Sequence, residues 1–192
     1  ESQGFEVTYL QPDSMGRVTL DALRTALRKD TILVSIMMVN NEVGSVMPIA
    51  QMAKLTHKLC PNAIFHTDAV QGFLKIPFSA KMLGADLISV SSHKIHGPKG
   101  AGALYISPKL KSFPPMIYGG GQESGMRSGT ENVIGIAGFG AAVKAGHASL
   151  DTDIAAVSSV REHLIKALQS ERFPDIKLNL PETAAPHILS IT

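Results

Sequence analysis

Three apolar runs in this chain lead directly into groups able to do chemistry. Asn40, Asn41 and Glu42 follow the run Thr31 to Val39. His66, Asp68 and Gln71 close and follow a shorter run from Ala63, and Ser91, His93 and Lys94 close and follow Asp86 to Ser91. Polar residues at run ends also arise simply because a chain surfaces into a loop. The weight therefore falls on convergence: if the runs are neighbouring strands, all three sets meet at one sheet edge, where open α/β sheets bind ligands. His66, Asp68, His93 and His96 are chemically acceptable zinc ligands, so a metal-dependent hydrolase is one reading. It leaves Lys94, Gln71 and the triplet Gly119 to Gly121 without a role. The glycines around Pro98 (Gly97, Gly100, Gly102) read as a tight turn, because Gly97-Pro98-Lys99-Gly100 lacks the spacing and the Ser/Thr of a nucleotide P-loop.

The elements that must position these groups follow from periodicity. Phe5 to Leu10 alternates like a strand and ends in turn residues Pro12, Asp13 and Gly16. Thr19 suits the N-cap of a helix bearing Leu20, Leu23 and Leu27. Thr31 to Val39 suits a strand buried on both faces of a parallel sheet. Pro48 suits the start of a helix with Met52, Leu55 and Leu59 along one side. Strands follow at Ala63 to His66, Asp86 to Ser91 and Ala101 to Ile106, with a short helix, Ser79 to Leu83, stopped by Gly84. Residues 107 to 128 read as loop. Helical spacing returns from Asn132 to Val143 and again from Asp151 to Leu168. Strand alternating with helix predicts an α/β fold, a mostly parallel sheet with helices on both faces. The expected division is a large domain over 1–149 and the start of a smaller α+β domain over 150–192.

The chain has 192 residues, 44% hydrophobic and 18% charged, with a formal net charge of +2. That composition suits a domain with a buried core and shows no basic stripe of the kind nucleic-acid binding needs. A single cysteine, Cys60, rules out a disulfide within the chain, and such a thiol reads as a small buried hydrophobe. No uninterrupted apolar run reaches the roughly 18 residues that span a bilayer, so no membrane association is expected. Both ends look cut: Glu1 leads straight into a strand-like segment, and Thr192 lies in the apolar run from Ile188.

The stretches His66-Thr-Asp-Ala-Val-Gln71, Ser91-Ser-His-Lys-Ile-His-Gly-Pro-Lys-Gly100, Val39-Asn-Asn-Glu-Val-Gly44 and Gly119-Gly-Gly-Gln-Glu, followed by Arg127-Ser-Gly-Thr130, resemble, in order, the cofactor-binding core of cysteine desulfurases. These are class V, fold-type I pyridoxal-phosphate enzymes. The resemblance implies a large-domain, three-layer sheet and pyridoxal 5'-phosphate held covalently by Lys94, the catalytic residue. Asp68 would face the ring nitrogen, Gln71 and Asn41 the ring hydroxyl, and Asn41 also the substrate carboxylate. Val70 would pack on the ring, Ser91 and His93 would bind phosphate, and Thr130 would reach the phosphate of a neighbouring subunit, implying a homodimer. His66 and His96 would be structural. The implied reaction removes sulfur from L-cysteine as a protein persulfide and releases alanine, with a sulfur-acceptor protein and iron–sulfur cluster assembly as the wider setting. Selenocysteine lyase, acting on L-selenocysteine, is the nearest alternative. A class V aminotransferase and a non-catalytic scaffold are further ones. The resemblance places the nucleophilic cysteine and a carboxylate-binding arginine after Thr192, and a phosphate loop and ring-stacking histidine before Glu1. The isolated chain is then expected to be inactive, in a cytoplasmic or mitochondrial protein.

Overall fold

The computed structural model describes residues 2–110, 113–170 and 172–192, so residues 111 and 112 of the expected long loop lie outside it. Thr19 caps α1 (Leu20–Ala26), its side chain accepting the Ala22 N–H at 3.1 Å. Strand β1 (Leu33–Met37) follows, and then α2 (Ile49–Leu59), which Pro48 precedes as its N-cap. Next come β2 (Ile64–Asp68), the short α3 (Ala80–Leu83) and β3 (Leu87–Ser91). Ser79 caps α3 at one end. Gly84 closes it at the other with φ 64°.

β1, β2 and β3 pair in parallel in sequence order, and β4 (Gly102–Ile106) adds antiparallel to β3. The sheet is mixed and mostly parallel, as the alternation of strand and helix predicts. Its register sets Met37 beside Asp68 and Asp68 beside Ser89. The carboxyl ends of three consecutive strands therefore lie side by side.

Val34 and Ile36 of β1, Phe65 of β2 and Ile88 of β3 pack with Leu23 of α1 and Met52 and Ala53 of α2 to form the core. β1 departs from the expectation of burial on both faces. Its residues alternate, Val34 and Ile36 being buried while Leu33 is 55% exposed. The core helices meet the Val34–Ile36 side. On the other side a row of polar contacts crosses the sheet, with Ser35 and Ser89 each bonded to His66.

Phe5 to Leu10 forms no strand among the described residues. A strand needs backbone pairing along its length. Here Arg28 holds Glu6 and Thr8 through side-chain bonds of 2.8 and 3.1 Å, and Tyr9 stays exposed.

The two helical stretches expected after Asn132 form one 36-residue helix, α4 (Val133–Leu168), whose N-cap is Asn132. The intervening Ser149, Asp151 and Thr152 do not break it, because Ser149 bonds back to the Ala145 carbonyl and on to Asp153. By length and composition alone α4 could cross a bilayer. One such helix is weak grounds for a membrane span, and Lys144 and His147 interrupt its apolar stretch. The first turns of α4 meet the site loops: Gly138 lies against Pro98, and Phe139 meets Phe73 edge-on at 6.4 Å. A two-stranded antiparallel ribbon, β5 (Leu178–Asn179) with β6 (Ser190–Ile191), ends the fold.

Candidate active site

Lys94 sits in a single 3-10 turn, Ser92–Ile95, immediately beyond β3. Ser92 and Ile95 are buried and anchor the turn, leaving Lys94 half-buried between them. His96 then takes a left-handed φ of 66° and reverses the chain. A non-glycine residue holds that conformation only where its surroundings impose it. The Gly97 N–H bonds the Ser92 carbonyl at 3.1 Å and closes the turn. The sharp path places the Lys94 amine at the sheet edge rather than along a helix.

Beside it, Ser91 Oγ and His93 Nδ1 are 2.7 Å apart, so these two expected ligands form one polar pair. Asp68 ends β2, and one carboxylate oxygen accepts the Val70 N–H at 2.9 Å. The turn after it continues with Gly72 and Phe73 N–H groups bonded to the Ala69 carbonyl at 2.9 and 2.8 Å. Val70 is half-buried on that turn. Gln71 is only 9% exposed, and its side chain has no hydrogen-bond partner among the described residues. Its amide atoms are not among the polar atoms sealed from solvent, so they stay open to a ligand group.

After β1, Asn40 accepts the Glu42 and Val43 N–H groups at 2.9 and 3.0 Å and folds the loop over. Asn41 is thereby left exposed at the tip. Thr130 is also exposed, at the end of the glycine-rich loop just before α4.

His66 holds the structural place expected of it. Its Nδ1 meets Ser35 Oγ and its Nε2 meets Ser89 Oγ, both at 2.8 Å. Burial pushes its pKa down, opposed by the Asp68 charge. With both nitrogens engaged, His66 has none for a metal, and no three His, Cys, Asp or Glu residues group to hold an ion among the described residues. The zinc reading loses its first ligand on geometry. Cys60, between α2 and β2, is buried and bonds the Arg28 carbonyl at 3.1 Å, as a packed thiol does.

Sequence reasoning missed two residues. Burial first, and then the Lys94 charge, lower the Lys75 pKa. Burial first, and then Lys75 and Lys94, lower that of His187 to about 4. Both belong to the surroundings of Lys94. Their only signal in the sequence is a lone charge amid Phe73, Leu74, Ile76 and Phe78, and a lone imidazole in an apolar terminal run.

The residues present fit a bound aldehyde cofactor. They offer an amine, a carboxylate in line with the next strand, an amide with no protein partner and a hydroxyl–imidazole pair.

The family model Aminotransferase class-V matches residues 1–192. A protein named cysteine desulfurase IscS from Dictyoglomus turgidum is 45% identical over 183 residues, covering 95% of this chain and 45% of its own length. A solved structure titled NIFS-like protein superposes with a TM-score of 0.92 at 40% identity, covering 99% of this chain and 51% of that one. Another, titled SspA in complex with cysteine, matches with a TM-score of 0.70 at 42% identity over 74% of this chain and 41% of that one. The chain spans about half the length of the curated relatives it matches.

Proposed function

The chain belongs to the aminotransferase class-V family, and from that premise we propose that it supplies the cofactor-binding core of a cysteine desulfurase, taking sulfur from L-cysteine as a protein persulfide and releasing alanine. The family is in general pyridoxal-phosphate dependent. The cofactor, when bound, draws electrons away from the substrate carbons attached to it, which loosens the carbon–sulfur bond.

The remaining work belongs to the chain. Lys94 would hold the aldehyde through its amine, and the same amine is placed to hold or move a proton at the sheet edge. A desolvated lysine amine is a competent nucleophile towards an aldehyde. Asp68 keeps the ring nitrogen protonated, with its second oxygen available because the Val70 N–H occupies only the first. Gln71 and Asn41 bond the ring hydroxyl, Asn41 also orients the substrate carboxylate, and Val70 packs on the ring face. Ser91 and His93, already paired at 2.7 Å, bind phosphate together. Thr130, exposed before α4, serves the phosphate of a second copy in a homodimer. The boundary proposed near residue 149 falls inside α4, so one helix joins the large domain to the smaller one.

The observation that carries this reading is the adjacency of Asp68, at the end of β2, and the Lys94 turn, just beyond the paired β3. The relative solved with cysteine supports cysteine as substrate. Borohydride reduction of the complete gene product with pyridoxal phosphate, followed by peptide mapping, tests it. The expected result is a single adduct on Lys94 that Lys94→Arg abolishes. An adduct on another lysine would refute the assignment.

A further inference from the structure

Helix α4 touches both turns that carry the site, and the cofactor roles above use none of it. Gly138, Ala142 and Gly146 stand at successive four-residue steps, so they share one face of the helix. A Cβ built on Gly138 would stand 3.0 Å from Pro98 Cγ and 3.1 Å from its Cδ. One built on Gly97 would stand 3.2 Å from Ala142 Cβ and would collide with Ser92 Oγ. One built on Gly146 would stand 3.1 Å from Leu74 Cδ1. Small side chains on this face are what let α4 approach Gly97 and Pro98, just after Lys94, and Leu74, on the turn after Asp68.

The Lys94 turn holds itself weakly. It is a single 3-10 turn with no side-chain cap, and 3-10 hydrogen bonds have poorer geometry than those of an α-helix. Its closure is two N–H groups, of His96 and Gly97, on the one Ser92 carbonyl. The Ser92 N–H ties it to the Ala101 carbonyl at 3.1 Å, and α4 supplies a second anchor through Gly97 and Pro98. On the turn after Asp68, Leu74 holds φ 53°. A non-glycine residue keeps that conformation only where packing imposes it, and its side chain is packed on Gly146. One helix face therefore fixes the two turns relative to each other.

We propose that the face of α4 bearing Gly138, Ala142 and Gly146 is a positioning element for the reaction, with Gly138 setting where the Lys94 amine stands relative to Asp68. The proposal rests on the desulfurase reading and adds residues that touch neither cofactor nor substrate. An amine adds to an aldehyde only from a near-attack geometry. A methyl group at position 138 meets a proline ring, which cannot swing aside as a flexible side chain does. The turn itself must then give, by a few tenths of an ångström, four residues after Lys94. At Gly146 the atom met is the end of a leucine side chain, which yields more easily.

The test follows uptake of pyridoxal phosphate by the complete gene product freed of cofactor, read as the rate of the absorbance change and checked by borohydride trapping on Lys94. Gly138→Ala should slow uptake about tenfold, since a misplacement of about 1 Å costs on the order of 100-fold. Gly140→Ala is the control: it shares the gain in helix propensity, has nothing within 4 Å of its added Cβ, and should react as the unmutated protein does. Pro98→Ala removes the Cγ and Cδ that the new methyl meets. The double variant should therefore react as fast as Pro98→Ala alone, a rescue that general loss of packing would not show. Ala142→Gly opens the contact instead of crowding it, and should slow uptake relative to Ala141→Gly, which is exposed on the same helix. Gly138→Ala as fast as Gly140→Ala, a double variant slower than Pro98→Ala, or Ala142→Gly matching Ala141→Gly would each overturn the proposal. If the unmutated protein takes no cofactor onto Lys94, the desulfurase reading itself falls. If it does and the variants keep its rate, only the positioning role falls.

Discussion

Replacing Gly44 by alanine tests whether the terminal segment is seated on the site loop. Gly44 has φ 77°, and an added Cβ would lie 2.9 Å from Ile188 Cβ and 3.3 Å from the Ile188 carbonyl oxygen. The second contact is backbone, so a rotamer change in Ile188 does not relieve it. Gly84 provides the control, because it has φ 64° but nothing within 4 Å of an added Cβ. Both substitutions incur the left-handed cost of about 1–2 kcal/mol. Both also share the small gain from a stiffer unfolded chain, about 0.4–1 kcal/mol. Only Gly44→Ala adds overpacking, about 1–3 kcal/mol. Urea unfolding should therefore find Gly44→Ala the more destabilising of the two by about 1–3 kcal/mol. Hydrogen exchange should accelerate at the Ala185 amide, which bonds the Gly44 carbonyl. Equal stabilities for the two variants would show that 183–188 is not docked on this loop.

Two further perturbations follow from buried polar groups. Asp86, 7% exposed, accepts the Phe65 N–H and meets His57 Nε2, both at 2.8 Å. Asp86→Ala strands a buried backbone donor and should cost about 2–4 kcal/mol in denaturant unfolding, whereas a loss within experimental error would refute that role. For His187, the unfolded chain titrates near the usual 6.5 and the folded one at about 4. Between those values the unfolded state binds more protons, so stability is complete above about pH 6.5 and falls as pH drops towards 4. His66, lowered by burial, acts in the same direction. Thermal unfolding of the cofactor-free protein should show this slope. His187→Asn should flatten it, and an unchanged slope would place the protonation elsewhere.

The placement of the candidate site at the sheet edge was legible because strand ends carry its residues. Asp68 and Lys94 lie where the apolar runs stop, and a parallel sheet puts such ends on one edge. The helix ends were legible as well: Thr19 and Gly84 act locally, within a turn of the residues that betray them, whereas Ser79, expected inside its helix, caps it. What failed were statements about partners. Phe5 to Leu10 has a strand's alternation, but pairing is a property of a neighbour rather than of the segment. The exposed Leu33 face of β1 is masked in a nearly continuous apolar run broken only by Ser35, since periodicity over so short a run does not separate one covered face from two.

Lys75 and His187 escaped for a related physical reason. Neither stands at the end of an apolar run, and they lie far apart in sequence, so spacing could not join them. The position of each is fixed by the register of 183–188 on the loop after β1 and by the forced turn at Leu74, both long-range consequences of packing. In a sheet-edge site the chemistry-bearing residues come from strand termini, whose position the topology dictates. The groups that steady a substrate can come from any segment the fold lays across that edge. The segment 183–188 is held at both ends: Asn179, four residues before it, bonds Ser190, two residues after it, at 3.1 Å, so the ribbon of β5 and β6 holds it from one side while Gly44 and Arg161 hold it from the other.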